Sequence, residues 1–244
     1  MDTNKVELTT LPALTAESLP FLAYLQEWLE NLPRLSAADV FSSPAAAGLL
    51  SVDMIQGFCN AGPLASPRVE SIIPAVVRTM QAAYDQGVRA FALTQDTHEP
   101  DAVEFGAFPP HCVRGTDESE AVLEIKALPF YHIMQTFPKN SINSAADTGL
   151  RAWIDANPEL DTFVILGDCT DLCIYQMAMD LRTDANARQL QRRVIVSAEA
   201  VQTYDTPVDV ARELGIFPHP GNLLHALFLY HMALNGIEVV QAIE

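Results

Sequence analysis

The stretch that decides the fold is residues 162–173, TFVILGDCTDLC. Its first five residues form a short apolar run rich in β-branched and aromatic side chains, which is typical of a strand buried on both faces of a parallel sheet. Polar residues and two cysteines follow directly, and a helix is expected to begin near Asp171. The stretch therefore predicts a strand, a polar turn and a helix, in that order.

Similar strand-like runs alternate with helical patterns along the rest of the chain. Strands are expected at residues 49–53, 90–94, 162–166, 193–197 and 237–240. Between the first two, Ser66 and Pro67 begin a helix whose apolar stripe runs from Val69 to Tyr84 and which Gly87 ends. Another helical segment covers residues 144–157. This alternation predicts an α/β fold, a three-layer α/β/α sandwich with a central, mostly parallel sheet.

Residues 1–45 differ in pattern and are predicted to form an N-terminal helical extension to a single domain of residues 46–244. Ser18 is expected to cap a helix with Pro20 near its first turn. Apolar residues at helical spacing from Leu22 to Leu32 would pack this helix on the domain or on a partner subunit. Residues 35–47, rich in Ser, Ala and Pro, are expected to be a connector.

The composition excludes several classes of function. A chain of 244 residues with 49% hydrophobic and 18% charged residues is an ordinary globular protein. Its formal charge of −17 argues against a nucleic-acid partner and against an anionic membrane surface. No apolar run approaches the roughly 18 residues that span a bilayer. The acidic N-terminus is unlike a secretory signal, and the four cysteines lack a paired spacing, so we expect reduced thiols in a cytoplasmic protein.

Polar side chains follow the predicted strands at the points where the strands end. Asp53 ends the first run, Asp96 and His98 follow the second, and Cys173 lies beyond the central one. In parallel sheets the functional site forms at the carboxyl ends of the strands. One such Asp is more commonly a cap or turn residue, but three converging sets favour an active site.

Cys173 is a candidate nucleophile because it falls in the first turn of the predicted helix. Unpaired backbone N–H groups and the helix dipole there favour a thiolate and would lower the pKa of the thiol. The same N–H groups could stabilise an oxyanion. On spacing alone, a buried structural cysteine is an equal alternative.

A second candidate cluster joins Asp96 and His98 to His111, which follows an acidic loop. Two imidazoles and a carboxylate suit a divalent ion such as zinc, iron or manganese. Chance also produces this pattern, and the spacing leaves the remaining ligand open among three acids of the loop. These acids are Glu99, Asp101 and Glu104.

Four segments together resemble the isochorismatase-like cysteine hydrolases, and within them the nicotinamidases, especially the plant-like branch. The segments are 52–59 (VDMIQGFC), 96–101 (DTHEPD), 108–116 (FPPHCVRGT) and 167–173 (GDCTDLC). The resemblance runs from about residue 48 to the C-terminus and implies that residues 46–244 are an isochorismatase-like hydrolase domain. It also implies hydrolysis of nicotinamide to nicotinate and ammonia through a cysteine thioester.

The resemblance implies a catalytic role for three side chains and two backbone groups. Asp53, Lys139 and Cys173 match the family's acid, lysine and nucleophile, with Lys139 expected in a loop. The backbone N–H groups of Cys169 and Cys173 match the oxyanion hole. A cis peptide bond between Asp168 and Cys169 accompanies them.

The resemblance further implies a metal-dependent substrate site. One divalent ion, zinc in preference to iron or manganese, would position the pyridine ring. Its implied ligands are Asp96, His98, Glu104 and His111. Phe58 and Phe108 match two aromatic residues that sandwich the ring, and offset stacking suits a flat heteroaromatic.

Other functions stay open at this point. An amidohydrolase of the same family acting on a ureide or carbamoyl substrate would share the triad, whereas an isochorismatase would lack the metal ligands. A non-catalytic interaction protein is the alternative from another class. We expect a small amide as substrate and a homo-oligomer. The remaining histidines are scattered along the chain: His132, His219, His225 and His231. The last two are expected on a C-terminal helix, as packing or surface residues.

Overall fold

A computed structural model describes residues 14–244 of the chain. Its strands are β1 (Arg34–Leu35), β2 (Ala47–Val52), β3 (Ala90–Asp96), β4 (Gln135–Lys139), β5 (Thr162–Asp168), β6 (Arg193–Gln202), β7 (Glu238–Val240) and β8 (Ala242–Ile243). Its helices are α1 (Leu14–Glu30), α2 (Ala37–Val40), α3 (Gln56–Cys59), α4 (Pro67–Glu70), α5 (Ile73–Asp85), α6 (Leu123–Lys126), α7 (Leu150–Ala156), α8 (Cys173–Arg188), α9 (Val208–Leu214) and α10 (Gly221–Leu234).

The central sheet has six strands in the order β4-β3-β2-β5-β6-β7, and every neighbouring pair is parallel. Helices cover both faces, because alternate residues of the buried strands point to opposite sides. One core lies under α5 and includes Leu49, Val76, Met80 and Phe91. The other lies under α8 and includes Leu50, Ile165, Met177 and Leu181. The predicted three-layer sandwich with a mostly parallel sheet is confirmed.

One strand of the sheet, β4, was not predicted from the sequence. It lies at the edge of the sheet and is largely exposed apart from its last residue, Lys139. Pro138 has no backbone N–H to donate to a neighbouring strand, and a strand tolerates this at the edge of a sheet. The expectation that Lys139 lies in a loop is wrong, because it ends β4 opposite Asp96 of β3.

Two predicted helices are shorter or divided. The helix expected from Ser66 to Gly87 is split into α4 and α5, and Pro74, which cannot donate a backbone hydrogen bond, lies in the first turn of α5. The helix expected over residues 144–157 is reduced to α7. It begins only after Gly149, whose φ of 82° is left-handed.

The N-terminal segment packs against the C-terminal part of the chain. Helix α1 already includes Leu14, so Ser18 is not its cap, and Pro20 lies inside the helix. Three aromatic residues of α1, Phe21, Tyr24 and Trp28, surround Tyr230 of α10 edge to face. Residues 35–47 are not a plain connector, since they contain α2 and begin in β1, which pairs in parallel with β8. Among the described helices, none has the length and apolarity that a bilayer crossing requires.

Candidate active site

The predicted polar residues meet at the carboxyl edge of the central sheet. Asp53 directly follows β2, while Asp96, Lys139 and Asp168 are the last residues of β3, β4 and β5. Cys173 is the first residue of α8, which follows β5 after a short turn. Because the strands are parallel and adjacent, their ends place these side chains together.

Asp53, Lys139 and Cys173 form a buried cluster. The Nζ atom of Lys139 lies 2.8 Å from Oδ2 of Asp53 and 3.6 Å from Sγ of Cys173. It also lies 2.5 Å from Oδ1 of Asp96, so one cation contacts two carboxylates. Asp53 adopts a φ of 54°, and its Oδ1 accepts a hydrogen bond of 2.8 Å from the backbone N–H of Asp96. The three triad candidates thus contact each other through the lysine.

Burial and neighbouring charges together set the pKa values of Asp53 and Lys139. Desolvation, followed by the nearby charge of Asp96, raises the pKa of Asp53 to about 7, against the opposing effect of Lys139. Burial also acts against a charged Lys139, but the carboxylates of Asp53 and Asp96 outweigh it and raise its pKa well above the ordinary value. The lysine is therefore a permanent cation, and Asp53 can take up and release a proton near neutral pH.

The pKa of Cys173 is shifted in the direction opposite to the sequence prediction. Burial raises the pKa of its thiol well above the ordinary value, and the positive charge of Lys139 opposes this only in part. The expected lowering by the helix N-terminus is thus wrong for the resting protein, because desolvation outweighs it. A reaction at Cys173 needs a base to remove the thiol proton, and Asp53 is the adjacent candidate.

The turn before α8 presents two backbone N–H groups beside the thiol. The peptide bond between Asp168 and Cys169 is cis, as the resemblance implied. Leu172 and Ile174 both donate to the carbonyl of Cys169, at 3.0 and 3.1 Å, which closes the turn. Within the described chain, the N–H groups of Cys169 and Cys173 donate to no backbone carbonyl. These two donors remain available for a substrate oxygen.

A second buried cluster consists of Asp96, His98 and His111, each offering a ligand atom within 4.8 Å of the others. The Nδ1 atoms of both histidines are occupied, that of His98 by Oδ1 of Asn140 at 3.1 Å and that of His111 by the carbonyl of Pro109 at 2.8 Å. This fixes the Nε2 atoms as the free acceptors.

Both of these Nε2 atoms face Asp96, at 3.5 Å for His98 and 3.9 Å for His111. The Nε2 of His98 is buried and has no hydrogen-bond partner among the described residues. A buried polar atom without a partner is unfavourable unless something binds it. Two imidazole nitrogens and a carboxylate therefore fit a divalent metal ion.

Of the three acids on the intervening loop, Glu104 lies beside this cluster. Its Oε1 is 3.9 Å from Nε2 of His98. Glu99 is exposed and pairs with Arg114 at 2.8 Å, and Asp101 is also exposed. The structure therefore places Glu104, rather than its two neighbours, near the candidate ligands.

Aromatic side chains surround the histidines. The ring centroids of Phe58 and Phe108 lie 5.6 and 6.3 Å from that of His111. The two residues predicted to stack on the substrate ring therefore lie beside the same histidine. Phe105, which was not predicted, lies 5.3 Å from His98 and 5.6 Å from His111. Its place in the loop that carries Glu104 was the only signal for it in the sequence.

Two further groups at this edge escaped the sequence reasoning. Asp168 is fully buried, and burial together with the charge of Asp53 raises its pKa well above the ordinary value. Asn140, next to Lys139, accepts from the backbone N–H of Glu99 as well as contacting His98. Asn140 orients a candidate metal ligand, and its position directly after the lysine was its only sequence signal.

Comparison with known proteins gives these features a family. The model of the isochorismatase domain matches residues 47–211. Nicotinamidase 1 of Arabidopsis thaliana is 28% identical over 219 residues, covering 84% of this chain and 89% of that protein.

Two solved structures share the fold. N-carbamoylsarcosine amidase from Thermoplasma acidophilum has a TM-score of 0.60 and 24% identity, covering 81% of this chain and 97% of the other. The pyrazinamidase of Pyrococcus horikoshii in complex with zinc has a TM-score of 0.62 and 23% identity, covering 80% and 99%. Since the matched domain spans well over half of the sequence, the chain belongs to the isochorismatase family.

Proposed function

We propose that the protein is a nicotinamidase, which hydrolyses nicotinamide to nicotinate and ammonia through a thioester of Cys173. Family membership and the similarity to Nicotinamidase 1 make the chain a hydrolase acting on amide carbon–nitrogen bonds. The observation that carries the finer proposal is that two buried clusters share Asp96. One suits amide cleavage, and the other suits a metal that binds a heteroaromatic ring.

The first step forms the nucleophile and the thioester. Asp53 accepts the thiol proton of Cys173, and Lys139, 2.8 Å from Asp53 and 3.6 Å from the sulfur, stabilises the resulting charges. The thiolate attacks the carboxamide carbon, and the carbonyl oxygen becomes an oxyanion. The N–H groups of Cys169 and Cys173, which donate to no backbone carbonyl of the described chain, donate to this oxyanion and stabilise it.

The second step releases the products. Asp53 returns its proton to the nitrogen of the departing amine as the carbon–nitrogen bond breaks, and ammonia leaves. Asp53 then takes a proton from a water molecule that attacks the thioester carbon. The carbon–sulfur bond breaks, the Cys173 thiolate takes the proton back from Asp53, and the acid product loses its proton to solvent and leaves as nicotinate. A pKa of about 7 lets Asp53 serve in both directions.

The substrate ring is held by the second cluster. Asp96, His98 and His111, with Glu104 beside them, would hold one divalent ion, which as a Lewis acid would bind the ring nitrogen and withdraw electron density from the carboxamide. Phe58 and Phe108 stack on the ring faces. The mixed nitrogen and oxygen donors and the zinc complex of the Pyrococcus horikoshii pyrazinamidase support zinc.

A direct assay tests this proposal. Purified protein supplied with zinc is expected to release ammonia from nicotinamide, to lose this activity with a chelator and to regain it with added zinc. N-carbamoylsarcosine is the comparison substrate, because a family member without the ring site would favour a carbamoyl group. Hydrolysis of N-carbamoylsarcosine with no turnover of nicotinamide would contradict the assignment of nicotinamide as the substrate. It would not contradict the proposed roles of Asp53, Lys139 and Cys173.

A further inference from the structure

Two histidines from the C-terminal part of the chain form hydrogen bonds with the turn that carries the backbone N–H groups of Cys169 and Cys173. Thr170 and Asp171 lie between Cys169 and Cys173, so their positions fix the backbone that carries both N–H groups. We call His219 and His225 the C-terminal clamp. Both lie beyond residue 211, where the match to the family domain ends.

His219 contacts Asp171 through a buried, charge-assisted hydrogen bond. Its Nε2 lies 2.8 Å from Oδ2 of Asp171, and its Nδ1 lies 3.0 Å from the carbonyl of Tyr204. Both partners are oxygen atoms that can accept, so each ring nitrogen has an acceptor within hydrogen-bond distance. Although burial acts against it, the bond from His219 lowers the pKa of Asp171 below its ordinary value, which keeps the carboxylate charged.

The imidazole of His219 is itself fixed from two sides. The ring of Tyr204 stacks on it with centroids 3.7 Å apart and planes 17° from parallel. Thr206 and His219 exchange two backbone hydrogen bonds of 2.8 and 2.9 Å in an isolated antiparallel bridge. A ring held in this way can position Asp171 without moving itself.

His225 makes the second contact of the clamp. Its Nδ1 lies 2.8 Å from Oγ1 of Thr170, whose backbone N–H donates to the carbonyl of Gln202 at 3.0 Å. Burial, followed by the positive charge of Arg68, lowers the pKa of His225 to about 4, so this ring is neutral. Two adjacent residues of the turn, Thr170 and Asp171, are thus each held by one histidine.

We propose that His219, acting through Asp171 and aided by His225 on Thr170, is a positioning residue that aims the N–H groups of Cys169 and Cys173 at the substrate oxyanion. The inference rests on the proposed function, because it concerns the oxyanion of the amide reaction. It extends the active site to a segment outside the matched domain. It also replaces the packing or surface role that the sequence suggested for His225.

The experiment uses the full-length, zinc-supplied enzyme and measures ammonia release from nicotinamide. His219→Ala is expected to lower kcat by roughly 10- to 100-fold, since a misplaced oxyanion donor is a loss of this order, and to leave KM within about twofold. Pyridine-3-carbaldehyde is expected to add to the Cys173 thiol as a hemithioacetal, with its oxygen between the N–H groups of Cys169 and Cys173. Its inhibition constant should weaken by a similar factor.

A second readout separates positioning from general damage. Alkylation of Cys173 by iodoacetamide depends on Asp53 and Lys139 but not on the oxyanion donors, so its rate in His219→Ala should stay within about twofold of wild type. His219→Gln, which keeps an N–H donor for Asp171, should recover part of kcat and serves where the alanine variant does not fold. His231→Ala, an exposed histidine on α10, is the matched control and should leave kcat unchanged.

Two results would contradict the positioning role proposed for His219. One is an unchanged kcat in His219→Ala, and the other is a parallel fall of kcat and alkylation rate in both His219 variants. A failure of the proposed function looks different, because wild type itself would then hydrolyse N-carbamoylsarcosine rather than nicotinamide. In that event the same kcat comparison on N-carbamoylsarcosine decides whether the clamp acts.

Discussion

The two ends of the central sheet differ in how deeply they bury charged side chains. At the carboxyl end, Asp53, Asp96, Lys139 and Asp168 are all at most 1% exposed. At the amino end, ion pairs lie at the surface, as in Arg188 with Asp155, whose side chains are 47% and 45% exposed. Both ends contain short ion pairs, but the pair of Lys139 with Asp53 at the carboxyl end is completely buried, with both side chains 0% exposed.

This difference identifies where the fold accepts an energetic penalty. Burying a charge is unfavourable unless it is paired, and Lys139 is one cation facing three buried acids. Burial raises the pKa values of Asp168 and Asp53, which favours their uncharged forms and so reduces the imbalance. This arrangement suits a site whose acids gain and lose protons during a reaction. A surface pair such as Arg188–Asp155 stays hydrated and contributes little to the free energy of unfolding.

The largest expected effect comes from the nucleophile. Cys173→Ala should lower ammonia release from nicotinamide by roughly 10⁴-fold or more, because no other group in the proposed mechanism forms the thioester. The assay is steady-state ammonia release by the zinc-supplied enzyme. Cys59→Ala, a change at another buried thiol, should keep kcat near wild type. Equal rates for the two variants would refute the role of Cys173.

The buried cation should matter for both activity and stability. Lys139→Met keeps an unbranched side chain of nearly the same length but leaves Asp53 and Asp96 without their cation, so turnover should be lost. The free energy of unfolding in urea should fall by about 3–5 kcal/mol. The control is Lys126→Met, whose lysine pairs with Glu120 at the surface and should change stability by less than about 1 kcal/mol. Similar changes in both would contradict the contrast between the two kinds of pair.

Removal of a candidate ligand should empty the metal site without removing the triad. His98→Ala should reduce bound zinc from about one ion per chain to a small fraction, as measured by elemental analysis after dialysis. Iodoacetamide alkylation of Cys173 should continue. His132→Ala, at a histidine outside the cluster, should retain its zinc. Full zinc occupancy in His98→Ala would show that the ion lies elsewhere.

The smallest effect is expected at the amino end of the sheet. Arg188→Ala breaks the pairs with the exposed Asp155 and the half-buried Asp184. It should change the free energy of unfolding by less than about 1 kcal/mol, with kcat unchanged. Urea denaturation and the ammonia assay check both values. A loss comparable with that of Lys139→Met would mean that the two ends of the sheet do not differ as described.

The sequence predicted the parts of this molecule that are encoded locally. The run at residues 162–166 and the polar turn after it predicted β5, the start of α8 and the placement of Cys173, because strand and helix signals lie within a few residues of each other. The parallel order of the strands then brought Asp53 and Asp96 to the same edge.

What the sequence did not predict depends on tertiary contacts. Strand β4 lacks an apolar run and contains Pro138, so only pairing with β3 makes it a strand. The raised pKa of Cys173 comes from burial, which a helix-start pattern does not report. His219 and Asp171 are 48 residues apart, and nothing local to either predicts their hydrogen bond.

The central claim, that Cys173 forms a thioester with nicotinamide, is tested most directly by acid quench during turnover followed by intact-protein mass spectrometry and peptide mapping. The account predicts a nicotinoyl adduct on Cys173 in the wild-type enzyme, absent from Cys173→Ala. Steady release of ammonia from nicotinamide by an enzyme that shows no adduct at Cys173, with Cys173→Ala equally active, would contradict it.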